Sequence, residues 1–111
     1  MDALETIESR EPAAAIYSAL SAALDGVGPH NVEVKKTSLH VTRRRAFLGV
    51  HPRAAGMLVN VVLERELTGE RVARTDHVSR NRWHNEILLA PPGDVDSELT
   101  SWIAEAYSLA E

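Results

Sequence analysis

The side chains best suited to bind a charged ligand are arginines and lysines, and they are concentrated in the middle of the chain. Residues 34–63 contain six basic residues and no acidic one, whereas the whole chain of 111 residues has a net charge of −4. A further group of arginines follows later in the chain. Because the planar guanidinium group suits phosphate and carboxylate, these residues are candidates for anion binding. The basic set is Lys35, Lys36, Arg43, Arg44, Arg45, Arg53, Arg80 and Arg82.

Two interpretations of this basic set stay open. In the first, the arginines of residues 43–45, 53, 80 and 82 share one end or face of a sheet and bind a polyanion such as a nucleic acid backbone. In the second, they are ordinary solvated residues that the acidic ends of the chain neutralise. The net negative charge lacks the basic footprint typical of a nucleic-acid-binding domain.

Histidines are the second type of residue that could bind a ligand or act as a base. The five histidines occur in neither an H-x-H nor an H-E-x-x-H arrangement, and the chain has no cysteine. We therefore predict no metal site, no cofactor and no disulfide. Sheet pairing could bring two of the histidines together. The predicted ligand-binding residues are Lys36, Arg43, Arg44, Arg45, His51, Arg53, Arg80, Arg82 and His84.

The carboxylates offer no recognisable catalytic arrangement. Glu86 lies inside the last predicted strand, where pairing with an arginine of a neighbouring strand is the expected role. Asp94 and Asp96 are explained as residues at the start of a helix. The sequence also lacks a Ser-His-Asp context, a nucleophile elbow and a phosphate loop, so it favours a binding module over an enzyme.

Asn60 interrupts an apolar strand, and its amide either bonds to a neighbouring side chain or faces a pocket.

Two amphipathic helices are predicted at the ends of the chain. Apolar residues recur at helical spacing from Ala13 to Leu24, with Ser9 as the predicted N-cap, which gives a helix over about residues 11–25. A second helix is predicted over residues 95–110, capped by Asp94 or Asp96. Residues 2–8 could form a short helical turn.

Between the helices the hydrophobic period changes to two, which indicates strands. Either one bent strand or two short ones fit residues 32–42, and further strands are predicted at 46–50, 57–64, 72–78 and 83–90. Residues 57–64 are the most apolar, so we place this strand near the centre of the sheet. The predicted fold class is α+β: an antiparallel meander of four or five strands in two layers, with both helices on one face.

Length and composition limit the other possibilities. The chain is expected to be a single domain over residues 1–111, with residues 1–10 as a loosely ordered N-terminal extension. Apolar residues make up 44% of the sequence, but no apolar run reaches the length that a membrane span needs. We therefore expect a cytoplasmic protein with no membrane partner.

Four short motifs resemble a family of bacterial proteins known as domain of unknown function 5655. They are K-K-T-S-L at residues 35–39, R-A-F followed by V-H-P-R at 45–53, V-S-R-N-R-W-H at 78–84, and D-V-D-S-E-L followed by A-Y near the end. The resemblance implies an α+β meander and supplies no catalytic residues. Some relatives are appended to domains linked to DNA processing, and others are loosely labelled predicted transport proteins.

The functional prediction is a non-catalytic binding module with a basic sheet surface for an anionic ligand or a nucleic acid backbone. One alternative is a module that forms a homodimer or docks on another protein. A second alternative, suggested by the resemblance, is a small-molecule-binding domain of a transport-related protein.

Overall fold

The computed structural model describes residues 1–111, which form three helices and a six-stranded antiparallel sheet. The helices are α1 (Ala3–Glu8), α2 (Ala13–Val27) and α3 (Ser97–Leu109). The strands are β1 (Asn31–Val34), β2 (Leu39–Thr42), β3 (Ala46–Arg53), β4 (Gly56–Leu63), β5 (Val72–Ser79) and β6 (Arg82–Leu89). The predicted α+β class is confirmed, and the sheet has six strands instead of four or five.

The strand order is β1-β2-β3-β4-β6-β5, so the chain follows a meander only as far as β4. The next strand along the chain, β5, lies at the edge, and β6 pairs with both β4 and β5. The residues of β5 explain this departure from the predicted meander, because none of them is buried. In contrast, β6 carries the buried residues Ile87 and Leu89, which require an internal position.

All three helices pack on one face of the sheet. Side chains from the helices and the strands join in a single buried hydrophobic cluster of 22 residues. The odd-numbered residues of β4 from Met57 to Leu63 point into this cluster, and β4 lies inside the sheet as predicted. We call the other side of the sheet, which no helix covers, the open face.

Side-chain caps determine where two of the helices begin. Asp2 and Glu5 form reciprocal hydrogen bonds at the start of α1, with Oδ1 of Asp2 accepting from the Glu5 amide at 2.8 Å. Oδ1 of Asp96 accepts from the Leu99 amide at 3.0 Å and so caps α3. Ser9 was predicted to cap the second helix, but it ends α1, and α2 begins at Ala13 without a side-chain cap.

The crossing from β4 to β5 is held by one buried side chain, Asn85 of β6. Its Oδ1 accepts from the Leu67 amide at 2.8 Å, and its Nδ2 donates to the carbonyl oxygens of Val61 and Arg65 at 3.3 and 3.2 Å. Leu67 is itself buried in the hydrophobic cluster. Asn85 therefore satisfies backbone groups of the segment that leaves the sheet to pass β6.

The aromatic residues mostly support packing. Phe47 is buried and meets Tyr107 of α3 edge to face, with ring centroids 5.5 Å apart. Trp83 stacks on His77 of the neighbouring strand at 4.2 Å. Trp102 is only partly buried, with the Arg71 guanidinium 5.7 Å from its ring. None of the helices has both the length and the apolar character that crossing a membrane requires.

Candidate functional site

Strand register brings polar residues of four strands into one row on the open face. Asn60 of β4 lies opposite Gly49 of β3 and opposite Glu86 of β6. His40 of β2 lies on the far side of Gly49. Since residues directly opposite in a sheet point to the same face, these side chains are neighbours on the surface that the helices leave uncovered.

A pocket of about 160 Å³ opens on this face, and we call it the histidine pocket. Its floor is near Gly49, where the absence of a side chain leaves a depression. A methyl group built on Gly49 would lie 3.3 Å from Nε2 of His51 and 3.4 Å from Cβ of Asn60. The residues that line the pocket are His40, Ala46, Leu48, Gly49, His51, Asn60, Val62, Arg82 and His84.

Three buried polar atoms without a hydrogen-bond partner belong to residues of this pocket. They are Oδ1 of Asn60, Nε of Arg82 and Nε2 of His84, and they are the only such side-chain atoms in the protein. A buried polar group without a partner costs about 1–3 kcal/mol. All three residues line the same pocket, so the side-chain polar atoms without partners are grouped on the open face.

His51 and His84, the two histidines predicted from the sequence to bind a ligand, are both in the neutral form. Burial lowers the pKa of His51, as do the nearby charges of Arg53 and His40, while Glu86 opposes them. Burial likewise lowers the pKa of His84, with Arg82 adding to the effect and Asp76 and Glu86 opposing it. At neutral pH each imidazole can therefore both donate and accept a hydrogen bond.

The geometry does not arrange the histidines as metal ligands. No group of three or more histidine, aspartate or glutamate side chains is placed to hold a metal ion. Glu86 lies opposite Arg74 of β5, as the sequence suggested for an arginine of a neighbouring strand. It nevertheless makes no ion pair within 4.0 Å. Its carboxylate thus acts on the pocket through its charge.

Five of the predicted arginines lie at one end of the sheet, which we call the arginine end. Residues 43–45 form the turn between β2 and β3, and residues 80–81 join β5 to β6 at the same end. Arg45 and Arg82 line one cavity of about 320 Å³ there, but the carboxylate-bearing Glu64 lines it too. The arginines of this end are Arg43, Arg44, Arg45, Arg80 and Arg82.

Two of these arginines already bind helix α3. Nη1 of Arg43 donates to the Tyr107 carbonyl at 3.2 Å, and its guanidinium lies 4.2 Å from the centre of the Tyr107 ring. Nη2 of Arg45 donates to the Leu109 carbonyl at 2.8 Å. The Leu109 carbonyl lies in the last helical turn, where carbonyl groups lack partners within the helix, whereas the Tyr107 carbonyl also accepts from the Ala110 amide at 3.2 Å.

The rest of the basic set lies elsewhere. Arg53 ends β3 at the opposite end of the sheet from Ala46, about 23 Å away along the strand. Lys36 lies at that opposite end as well, in the turn between β1 and β2. The arginines of the predicted set therefore do not all share one end of the sheet, because one full strand separates Arg53 from the others; that they share a face stays a prediction. Polyanion binding by the arginine end stays a prediction.

The structure brings together His51, Arg82 and His84 from the predicted set and adds three residues to them. His40, Gly49 and Asn60 were not predicted as site residues, although Asn60 had been noted as an amide that bonds to a neighbour or faces a pocket. Each interrupts the apolar pattern of its strand. An interrupted apolar pattern shows which face of the sheet a residue lies on. Only the strand register shows which residues are its neighbours on that face.

The two grooves along the helices lack the features of the histidine pocket, whereas the cavity at the arginine end shares Arg82 with it. A groove of about 730 Å³ runs between α2 and α3, and another of about 560 Å³ lies along α1 and α2. Neither contains a buried polar atom without a partner. The polar groups that could orient a ligand are therefore concentrated on the open face.

Comparison with protein families gives one match. The family described as Domain of unknown function (DUF5655) matches residues 4–110, nearly the whole chain, and the chain belongs to this family. Comparisons with curated proteins and with solved structures gave no significant match. The family description names no ligand, so a functional assignment must come from the geometry.

Proposed function

We propose that this family member is a binding module whose histidine pocket holds a small oxyanion that carries its own O–H group, such as hydrogen phosphate. The observation that supports the proposal is that Arg82, Asn60 and His84 line one pocket and that each carries a buried polar atom without a partner, Nε, Oδ1 and Nε2 respectively. The proposal makes the pocket, and not the whole basic set, the anion-binding surface.

The chemistry of the three atoms specifies the ligand. Nε–H of Arg82 can only donate, so it requires an acceptor such as an anionic oxygen. Oδ1 of Asn60 can only accept, so it requires a donor on the same ligand. The neutral imidazole of His84 can fill either role, according to its tautomer. A hydrogen phosphate group offers both kinds of partner within one small tetrahedron.

The size and charge of the pocket agree with this class of ligand. A volume of about 160 Å³ corresponds to about five water molecules in the liquid. That room suits a phosphate group. A phosphodiester of DNA or RNA has no P–OH group at neutral pH and so cannot donate to Asn60. The pocket therefore favours free phosphate, which keeps a P–OH group at neutral pH, over a phosphomonoester dianion or a nucleic acid backbone, which have none.

The proposal predicts that inorganic phosphate binds and that sulfate binds at least about fivefold more weakly, because sulfate has no proton for Asn60 and an unmade buried hydrogen bond costs about 1–3 kcal/mol. The measurement is an NMR titration of the backbone amides with each anion at constant ionic strength. Phosphate should shift the amides near Gly49 and Asn60 first. Equal affinity for the two anions, or shifts spread over all exposed arginines, would contradict the proposal.

A matched variant tests the pocket itself. Gly49→Val should fill the depression, since even its Cβ would lie 3.3 Å from Nε2 of His51 and 3.4 Å from Cβ of Asn60. Valine also favours a strand, so the variant is expected to fold. Phosphate-induced shifts should disappear in this variant, while its thermal unfolding stays close to that of the natural protein. Retained binding in a folded Gly49→Val protein would place the anion elsewhere.

A further inference from the structure

One cross-strand row runs over all six strands of the open face. Register extends the row of Asn60 outward to Glu33 of β1 on one side and to Arg74 of β5 on the other. The row ends in an acid on one edge of the sheet and in a base on the other edge. Its members, in strand order, are Glu33, His40, Gly49, Asn60, Glu86 and Arg74.

We propose that a second copy of this chain covers the open face, related by a twofold axis that runs parallel to the strands between β3 and β4. This axis reverses the strand order in the partner, so β1 faces the partner's β5, β2 faces its β6, and β3 faces its β4. Glu33 then faces the partner's Arg74, and His40 faces the partner's Glu86. At the centre, Gly49 faces the partner's Asn60, so the Asn60 side chain of one copy lies above the depression at Gly49 of the other.

Charge complementarity favours a copy of this chain over an unrelated protein as the occupant. Each pairing occurs twice in a twofold dimer, and no like charges within the row face each other. In the single chain Glu33 pairs only with Lys35, at 3.6 Å and with both side chains about half exposed. Such an exposed pair contributes little, so Glu33 is available to a partner.

Apolar residues and area support the same arrangement. Leu58 and Leu88 lie opposite each other on the open face, and the Leu88 side chain is 48% exposed. Six strands spaced about 4.8 Å apart and up to eight residues long give a face of roughly 600 Å² on each copy. The total of about 1,200 Å² is at the lower limit for a specific interface, so a weak, reversible dimer is expected.

The dimer does not depend on the proposed ligand. Its outermost charge pair, Glu33 with the partner's Arg74, lies on the edge strands β1 and β5, outside the histidine pocket, whose lining residues come from β2, β3, β4 and β6. In the dimer the two pockets would lie within the interface, where the sheets pack about 10 Å apart. The two proposals can therefore fail separately.

Charge reversal tests the dimer by sedimentation velocity without phosphate, at protein concentrations from about 10 μM to about 1 mM. The natural protein should change from monomer to dimer over this range. Glu33→Arg and Arg74→Glu should each raise the dimer dissociation constant about tenfold, because each reversal places like charges together twice. The double variant should recover the natural dissociation constant, since it restores both pairs in the opposite sense.

Both residues are exposed, so neither substitution threatens the fold. A natural protein that stays monomeric at the highest concentration would overturn the dimer, as would single variants that dimerise unchanged. A double variant no stronger than the single variants would also overturn it. Phosphate binding by a protein that stays monomeric would leave the proposed function intact and reject only the dimer.

Discussion

Replacing Asn85 by leucine is expected to lower the free energy of unfolding by about 3 kcal/mol, the largest stability effect that we predict for a single polar residue. The substitution removes three hydrogen bonds and leaves the buried amide of Leu67 without an acceptor. Leucine has a similar volume, so the loss reports the hydrogen bonds and not a cavity. Urea denaturation followed by circular dichroism measures it.

Asn31→Leu is the matched control, because Asn31 is exposed at the start of the edge strand β1. Its effect on the free energy of unfolding should stay within about 0.5 kcal/mol. A loss of less than about 1 kcal/mol for Asn85→Leu would mean that the crossing segment finds other partners for its backbone. The assignment of Asn85 as the support of the β4–β5 crossing would then be wrong.

Replacing Arg82 by methionine should weaken phosphate binding about 10- to 100-fold, since a hydrogen bond to a charged group contributes about 1.5–3 kcal/mol. Methionine keeps the apolar stem and removes only the guanidinium, the one permanent positive charge among the pocket residues. Calorimetric or NMR titration with inorganic phosphate measures the change.

Arg80→Met is the control for this variant. Arg80 is exposed in the turn two residues earlier and does not line the histidine pocket. It carries the same charge at the same end of the sheet, so a general electrostatic attraction would weaken equally in both variants. An equal loss in Arg80→Met and Arg82→Met would therefore assign binding to the arginine end as a whole and not to the pocket.

Local patterns were sufficient to predict the individual elements of the fold. The apolar run at residues 57–64 correctly indicated an internal strand. Asp94 and Asp96 were proposed as alternative caps of the last helix, and Asp96 is its N-cap. Both features depend on residues that are neighbours in the sequence. The position of β6 between β4 and β5 does not depend on neighbours in the sequence. It depends on which of β5 and β6 buries more apolar surface once both strands have joined the sheet.

The site was harder to predict for the same reason. Asn60 and His84 come from strands far apart in the sequence, and they meet only because β4 pairs with β6. A shift of one residue in that register would turn His84 into the hydrophobic core. Clustering of arginines in the sequence did not place Arg53 beside residues 43–45, because the whole length of β3 separates them.

The pKa of His84 gives the sharpest test of oxyanion binding in the histidine pocket. Burial and Arg82 hold this pKa below its usual value of 6.5, with His40 and His51 in the same pocket and Asp76 and Glu86 opposing. A bound anion stabilises the charged imidazolium, so binding must raise the pKa, and by linkage the anion must bind more tightly as the pH falls.

NMR titration of the His84 ring between about pH 5 and pH 7.5, with and without inorganic phosphate at fixed ionic strength, makes the measurement. His30, in the loop before β1 and outside the pocket, is the internal control. The His84 pKa is expected to lie below 6.5 without phosphate and to rise clearly with it, while the His30 ring resonances at a fixed pH should not respond to phosphate. Identical His84 titrations in the two conditions would contradict oxyanion binding in the histidine pocket.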